Sequence, residues 1–328
     1  MKEFMIVLAS GAEHLEKKFR NQGIPVYCLA PNFDGKRFFP NSDLYVKIPK
    51  VEELANKRVV VLQNCTGSSP AEREYFSTAD RLEELILILD MLKHPLKVVK
   101  IGHKEYNTTP ISPPSRIEVV LTFQPFALQD KAFSTGEAVS SRSAMRNIAS
   151  RCDKLWVVEP VVNKDIDWVA DLAKQGKYEV ISFTSDIVQK AAETFGFEEH
   201  ILRAPDEGAQ KRFGVPGLSK RRSDSFTIEM QGDLDVKGKN VIVIDDLTKS
   251  GTTLLRAGKI LMEQGAAEVG FVVLHVTPIK QEGEELLADL VEKSEKRVMT
   301  SNTVYSKTFC KDNPELVYNV VDCIIENL

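Results

Sequence analysis

Short runs of β-branched and other apolar residues recur along the chain, and most are separated by segments whose apolar residues follow a helical period. The runs cover residues 4–8, 26–29, 58–62, 117–121, 155–158, 180–183, 240–244 and 270–275. Runs of this kind predict buried strands, and their alternation with helical segments is typical of βαβ units. The pattern therefore predicts an α/β protein with mostly parallel sheets flanked by helices.

Two segments have the features of complete helices. Thr78–Lys93 follows Ser77, which begins a capping box with Asp80, and precedes Pro95, which cannot continue a helix. One face of this helix is predicted to be buried from the spacing of Leu82, Leu85, Leu89 and Leu92. Residues 252–264 form the second predicted helix, which ends at Gly265.

An internal similarity relates two distant parts of the chain. Residues 57–68 align without gaps on residues 239–250, and each segment runs from an apolar strand into a loop of Thr, Ser and Gly. Two buried strands can resemble each other by chance, because they share composition. The other interpretation is a pair of related α/β halves, in which the two carboxylates at 245–246 correspond to the two amides at 63–64. Only the second half would then keep a charged site.

We place the boundary between the halves near residue 152, which gives domains at 1–152 and 153–328. Residues 108–114 are rich in Pro, Ser and Thr, so we expect an exposed loop within the first domain. Residues 205–229 contain several glycines, three consecutive basic residues at 220–222 and only a weak period of apolar residues. We expect a mobile loop there, with an edge hairpin.

Composition narrows the classes of function. The chain has 43 basic and 47 acidic side chains, a net charge of −4, and no long basic run, which disfavours a nucleic-acid partner.

The strongest apolar stretch, residues 85–92, is too short to cross a membrane, and the N-terminus lacks the layout of a secretory signal. The five cysteines include no C-x-x-C pair, which predicts buried thiols in a reducing compartment. We expect a cytoplasmic protein without a membrane partner.

The segment after the apolar run 241–244 carries the strongest chemical signal. Asp245 and Asp246 come first, then a turn with Gly251, then the predicted helix. Hydroxyl groups surround that turn, on Thr248, Ser250, Thr252 and Thr253. Backbone N–H groups, hydroxyls and the helix dipole make such a turn an anion site, and Gly251 allows the backbone to approach a phosphate closely. The two carboxylates can hold ribose hydroxyls or a Mg²⁺ ion. A plain helix cap would explain the hydroxyls but not the carboxylates.

This pattern resembles the phosphoribosyl pyrophosphate loop of type I phosphoribosyltransferases, and further segments resemble ribose-phosphate pyrophosphokinases. In chain order these are Arg37-Phe-Phe-Pro-Asn-Ser-Asp-Leu-Tyr-Val-Lys-Ile48, Pro125-Phe-Ala-Leu-Gln-Asp-Lys131, Ala204-Pro-Asp-Glu-Gly-Ala-Gln-Lys-Arg212, Lys220-Arg-Arg222 and the loop itself. The resemblance implies two similar phosphoribosyltransferase-like halves. It also implies an ATP-dependent diphosphotransferase of nucleotide biosynthesis that makes phosphoribosyl pyrophosphate, or a related activated ribosyl compound, and releases AMP.

The resemblance also assigns residues and partners. ATP-binding positions are Phe39, Asn41, Asp43, Gln129, Asp130 and Lys131. Positions for the ribose phosphate are Asp206, Asp245, Asp246, Thr248, Ser250, Gly251, Thr252 and Thr253, and Asp206 is also the candidate metal ligand. Lys220 and Arg222 are the candidate catalytic residues, although three consecutive basic residues are usually a solvated surface run. The implied cofactor is Mg²⁺, and the implied assembly is a homo-oligomer, either a dimer or a hexamer of dimers.

Three positions depart from the family pattern. Residues 157–160 lack the metal-binding His of the family, Leu128 replaces an Arg, and Lys249 stands where the pyrophosphokinases usually have an acidic residue. Two other functions therefore stay open. One is a phosphoribosyltransferase, which needs no ATP site, and the other is a non-catalytic regulatory homologue of the synthetase.

Overall fold

The computed structural model describes residues 4–162, 165–222, 228–231, 234–278 and 280–328, with the backbone alone at 220–222 and 228–231. The chain divides into two compact units. The first comprises Met1–Ser68, Glu72–Ile181 and Val321–Leu328, and the second comprises Ser69–Ala71 and Ser182–Val320.

The first unit is built on a parallel sheet. Its described strands are β1 (Met5–Leu8), β2 (Val26–Cys28), β3 (Arg58–Asn64), β4 (Leu96–Gly102), β5 (Glu105–Pro110), β6 (Arg116–Phe123), β7 (Lys154–Val158) and β8 (Tyr178–Ile181). Six of them form one sheet in the order β2-β1-β3-β6-β7-β8, and every pairing in it is parallel. β4 and β5 form a separate antiparallel hairpin.

Helices connect these strands, as a parallel sheet requires. They are α1 (Glu16–Asn21), α2 (Thr78–Lys93), α3 (Ser140–Ala149) and α4 (Asp167–Lys174). The capping box predicted for α2 is present, because the Ser77 hydroxyl accepts the N–H of Asp80 and the Asp80 carboxylate accepts the N–H of Ser77. Leu85, Leu89 and Leu92 are buried on α2, whereas Leu82 is half-buried.

The second unit has the same alternation of strands and helices. Its described elements are α5 (Thr184–Phe195), β9 (Ile201–Arg203), α6 (Glu207–Phe213), β10 (Ser219–Arg222), β11 (Ile228–Gln231), β12 (Asn240–Thr248), α7 (Thr252–Glu263), β13 (Glu268–Val276), α8 (Gln281–Lys293), β14 (Val298–Ser301) and β15 (Val317–Tyr318). The sheet order is β15-β14-β13-β12-β9, with all pairs parallel. Apolar residues of β12, β13, α7 and α8 form its core. The last helix, α9 (Val320–Asn327), belongs to the first unit from Val321 onward.

The eight predicted strands and two predicted helices are confirmed, with ends that differ by a few residues. The boundary predicted near residue 152 differs from the structure, in which the first unit continues to Ile181. The reason is strand pairing: β7 hydrogen-bonds to β6 and β8 to β7, so both strands complete the first sheet. Sequence spacing alone does not show which sheet a strand joins.

Two predicted loops contain regular structure. Residues 108–110 of the expected loop at 108–114 belong to β5. Residues 205–229 include the predicted hairpin, formed by β10 and β11, but also α6. Asp206 caps α6 through a 3.1 Å hydrogen bond from the N–H of Ala209, and Gly214 ends it with φ +64°. Of the glycines that suggested a loop, Gly208 therefore lies in the first turn of a short helix and Gly214 ends it.

No helix in the described ranges has the length and apolar character needed to cross a membrane. The five cysteines are all free. Cys65, Cys152 and Cys323 are buried as predicted, whereas Cys28 and Cys310 are partly exposed. Burial raises the pKa of Cys28 and of Cys152 to about 12, so neither thiol is a reactive thiolate near neutral pH.

A buried carboxylate ties three parts of the first sheet together. Glu118 on β6 is fully buried, and it accepts hydrogen bonds from Arg58 at 3.0 Å, from the Trp156 indole at 2.8 Å and from Arg116. Burial alone would raise the pKa of Glu118, but these donors outweigh burial and hold it below its ordinary value. Glu118 is therefore ionised and satisfied inside the sheet.

We expect Glu118→Ala to lower the free energy of unfolding by about 3 kcal/mol at neutral pH, because it leaves buried donors unpaired. Arg116→Ala is the control, since its half-exposed side chain should cost about 1 kcal/mol or less. A carboxyl with a lowered native pKa stabilises the fold above its unfolded pKa, and this contribution disappears as the pH falls through the native pKa. Urea unfolding across acid pH should therefore show the gap between wild type and Glu118→Ala closing. A gap that stays constant would contradict this account.

Candidate functional site

The candidate site lies at the carboxyl end of β12. This strand continues to Thr248, so Asp245 and Asp246 lie in its last four residues rather than after its end. On one side β12 pairs with β13 as far as Thr248, whereas on the other side β9 pairs only along Val241–Val243. The two carboxylates therefore lie beyond the end of the neighbouring strand β9, where ligands of parallel sheets usually bind.

The turn after β12 closes on itself. The Thr248 hydroxyl accepts the N–H of Gly251 at 2.9 Å, and the hydroxyls of Ser250 and Thr252 lie 2.6 Å apart. Gly251 caps α7 with φ +74°, and a Cβ atom at this position would lie 2.6 Å from Cδ2 of Leu290. Only glycine satisfies both constraints. Because the N–H of Gly251 is used inside the turn, the donors left for an anion are the hydroxyls and the N–H groups of the first turn of α7.

Helix α8 packs against this turn. Leu290 contacts the position of Gly251, and a Cβ atom on Gly283 would lie 3.1 Å from the carbonyl oxygen of Lys249. The N–H of Thr277 also donates to the Thr248 carbonyl at 2.9 Å. The turn is therefore held by two contacts from α8 and by one from the backbone after β13.

Asp206, Arg212 and Asp246 come together beside the turn. Nε of Arg212 lies 3.7 Å from Oδ2 of Asp246, and both side chains are largely buried. Burial raises the pKa of Asp246, the nearby charge of Asp206 raises it further, and Arg212 opposes the shift. This repulsion between carboxylates is the kind that a bound cation or a hydroxyl-bearing ligand relieves.

The corresponding loop of the first unit is filled by the protein itself. The fully buried Arg81 donates to the Thr66 carbonyl at 2.9 Å and to the Ser68 hydroxyl at 3.0 Å, and it forms an ion pair with Glu72. Gln63, the counterpart of Asp245, accepts the N–H of Gly11 at 2.9 Å and donates to Glu84 at 3.0 Å. The polar groups of this loop therefore serve the fold.

The predicted ATP residues form two separate groups in the first unit. In the segment after β2, the N–H of Phe39 donates to the Asp43 carbonyl at 2.9 Å, and the Asn41 amide donates to the Asp43 carboxylate. In the segment after β6, the carbonyl of Asp130 accepts the Trp168 indole N–H at 3.0 Å, and Lys131 lies over the exposed ring of Phe133. β2 and β6 are three positions apart in the sheet, which is roughly 14 Å.

Comparisons with known proteins agree with this geometry. A family model described as the phosphoribosyl transferase domain matches residues 189–307. The ribose-phosphate pyrophosphokinase of Pyrococcus furiosus is 26% identical over 281 residues, covering 83% of this chain and 85% of the relative. That of Pyrococcus abyssi is 27% identical over 281 residues, covering 83% and 84%. The crystal structure of phosphoribosylpyrophosphate synthetase from Mycobacterium smegmatis has a TM-score of 0.70 at 22% identity, covering 99% of this chain and 97% of that one.

The chain is similar to ribose-phosphate pyrophosphokinases over most of its length, and the resemblance found in the sequence is confirmed. The predicted fold, with two phosphoribosyltransferase-like halves, is confirmed, and the protein is a transferase. Arg212 is the site residue that our assignment left out, although it occupies the last position of the family's Pro-Asp-x-Gly-Gly-x-x-Arg segment. Lys220 and Arg222 lie on β10, but their side chains are outside the described part of the structure.

The departures from the family pattern have distinct surroundings. Leu128 is 63% exposed in the segment after β6. At the carboxyl end of β7, where the family has its metal-binding His, Glu159 is buried with φ +41°, and its N–H donates to the Ile181 carbonyl at 2.9 Å. Lys249 is exposed in the turn beside Ser250. These departures leave the described geometry of β12 and its turn intact.

We expect Gly251→Val to weaken the binding of a phosphate-bearing ligand at this turn by about tenfold or more, because the new side chain meets Leu290 and displaces the turn. Gly238→Val is the matched control, since Gly238 also has a positive φ of +71° but no neighbour within 4 Å of a Cβ atom. Both variants should lose about 1–2 kcal/mol of stability to backbone strain. Calorimetric titration should find the loss of affinity in Gly251→Val alone, and equal losses would contradict the assignment.

Proposed function

We propose that this protein transfers a diphosphoryl group from ATP to ribose 5-phosphate, or to a related ribosyl acceptor, and releases AMP. The observation that supports this best is the set of groups at the carboxyl end of β12. Three features lie there together: the turn after β12, which we call the anion turn, the two adjacent carboxylates, and the pair of Asp206 and Arg212. A phosphorylated sugar offers the complementary groups, a dianion at one end and hydroxyls at the other.

The chemistry requires positioning more than covalent participation by the protein. The C1 hydroxyl oxygen of the ribosyl acceptor attacks the β-phosphorus of ATP, the bond to the α-phosphate oxygen breaks, and AMP leaves while the hydroxyl loses its proton. Ser250, Thr252 and Thr253 would hold the 5-phosphate, and Asp245 and Asp246 would orient the ribose hydroxyls. In-line alignment and neutralisation of charge account for most of the catalysis in such transfers.

The donor set also suits Mg²⁺. Magnesium is usually bound by one or two carboxylates together with substrate phosphates, so it needs no larger cluster, and the described residues contain no group of three or more ligands. One or two of the carboxylates of Asp206, Asp245 and Asp246 would hold it together with substrate phosphates, and its charge would oppose the burial and the repulsion from Asp206 that raise the pKa of Asp246. The ion would neutralise phosphate charge when bound.

The ATP assignment implies an oligomer. The Phe39 group and the Gln129 group follow strands that are roughly 14 Å apart in one sheet, so we infer that one nucleotide meets the two groups from different subunits. A dimer, or a hexamer built from dimers, supplies this arrangement. We keep the cytoplasm as the expected compartment because the described cysteines are all free.

The direct test is AMP release from ATP with ribose 5-phosphate, with and without Mg²⁺. We expect release that needs the sugar and the cation together. A phosphoribosyltransferase would not consume ATP, and a non-catalytic homologue would bind the ligands without turnover. Absence of AMP at saturating ligand would therefore reject the proposed reaction.

Lys220→Ala tests the catalytic assignment. Its ammonium would meet charge that develops only in the transition state, so kcat should fall by about 10²–10³ while ATP affinity changes little. Lys259→Ala is the control, because its side chain on α7 is 78% exposed. Wild-type turnover of Lys220→Ala would assign this residue to the solvated surface instead.

A further inference from the structure

The β4–β5 hairpin exposes an unusual amount of apolar surface. Within the described part of the chain it forms its own two-stranded sheet, and every residue of its strands except Gly102 is exposed. The large apolar side chains are exposed by 47% to 66%, and they are Leu96, Val98, Val99, Ile101 and Tyr106. A two-stranded hairpin alone is only marginally stable in water, and apolar patches of this kind mark contact sites.

The register divides these residues between two faces. Leu96 pairs with Pro110, Val98 with Thr108 and Lys100 with Tyr106, so all six side chains share one face. That face combines an apolar surface with a single positive charge, on Lys100. Lys97 lies on the opposite face, because it is one residue away in the strand.

Helix α2 has a complementary outer face. Glu83, Leu87 and Asp90 recur at helical spacing and are exposed, while Leu82, Ile86 and Met91 are only partly buried. The outer face is therefore apolar with two carboxylates and the exposed Lys93 in its last turn, so its net charge is negative, the reverse of the charge on the hairpin face. The hairpin does not cover this helix within its own chain, because the hairpin residues are themselves exposed.

We propose that the hairpin of one copy packs on the outer face of α2 of a second copy, with Lys100 between Glu83 and Asp90. Charge complementarity supports a second copy as the occupant. A two-fold axis would repeat the contact, so that the Lys100 face of each hairpin covers the outer face of α2 in the other copy. The lengths also match, since seven strand residues and sixteen helical residues each span about 24 Å. Two such contacts, each about 10 Å wide, cover roughly 1,000 Å² in total, which reaches the lower limit for a specific interface.

A charge swap tests this surface. Lys100→Glu places like charges at both symmetrical contacts, so the dissociation constant of the assembly should rise about 100-fold or more. Adding Glu83→Lys and Asp90→Lys to the same chain should restore association. Lys97→Glu is the matched control, because it makes the same change on the opposite face and should leave the assembly intact. Sedimentation velocity across a concentration series gives each result, and thermal unfolding verifies that every variant is folded.

A hairpin deletion provides a second measurement. The N–H of Ile111 donates to the carbonyl of Pro95 at 2.8 Å, so a two-residue Asn-Gly turn can replace Leu96–Pro110 without separating its ends. The deletion variant should sediment as a smaller species than the wild type. A monomeric wild type, or variants that keep the wild-type size, would overturn the proposal. Variants that keep the wild-type size would reject this contact without rejecting the proposed reaction, whereas a monomeric wild type would count against both.

Discussion

The contact between Gly251 and Leu290 is the constraint on which the candidate site depends. It leaves no space for a side chain at residue 251, and the left-handed backbone there directs the chain from β12 into α7. The position of α8 is in turn fixed by Glu284, whose buried carboxylate accepts the Ser306 hydroxyl at 2.9 Å and the N–H of Thr308 at 3.0 Å. A buried carboxylate next to Gly283, which packs against the turn, thus helps to determine where the turn lies.

The loop after β3 in the first unit and the turn after β12 in the second unit follow similar strands but are stabilised by different contacts. In the first unit, the buried guanidinium of Arg81 holds the loop, and Glu72 supplies the negative charge that balances it. In the second unit, the turn is held by the hydrogen bond from Gly251 to the Thr248 hydroxyl and by the packing of Leu290, without a buried ion pair like that of Arg81 and Glu72 among these contacts. Arg81 and Glu72 already satisfy the loop of the first unit, so the turn after β12 is the candidate anion site.

Local signals allowed most of the fold to be predicted, whereas contacts between distant residues did not. Buried parallel strands are apolar throughout, so all eight predicted runs were recognisable. Asp245, Asp246 and the turn were visible because they are consecutive. The approach of Arg212 to Asp246 and of Gly283 to Lys249 depends on how elements pack, and no sequence period encodes it. The β4–β5 hairpin was missed because its alternation has no buried face to reveal it.

Charge placement links these observations to ligand binding. Inside the first unit, Glu118 meets Arg58, Arg116 and Trp156, so its pKa falls and its charge is fully compensated. At the end of β12, burial and Asp206 raise the pKa of Asp246, and Arg212 opposes this shift without cancelling it. A fold tolerates an incompletely compensated carboxylate when a ligand completes its surroundings. The donors around Glu118 therefore belong to the fold, whereas Asp246 lies near a second carboxylate, an arrangement that a cation or a hydroxyl-bearing ligand would stabilise.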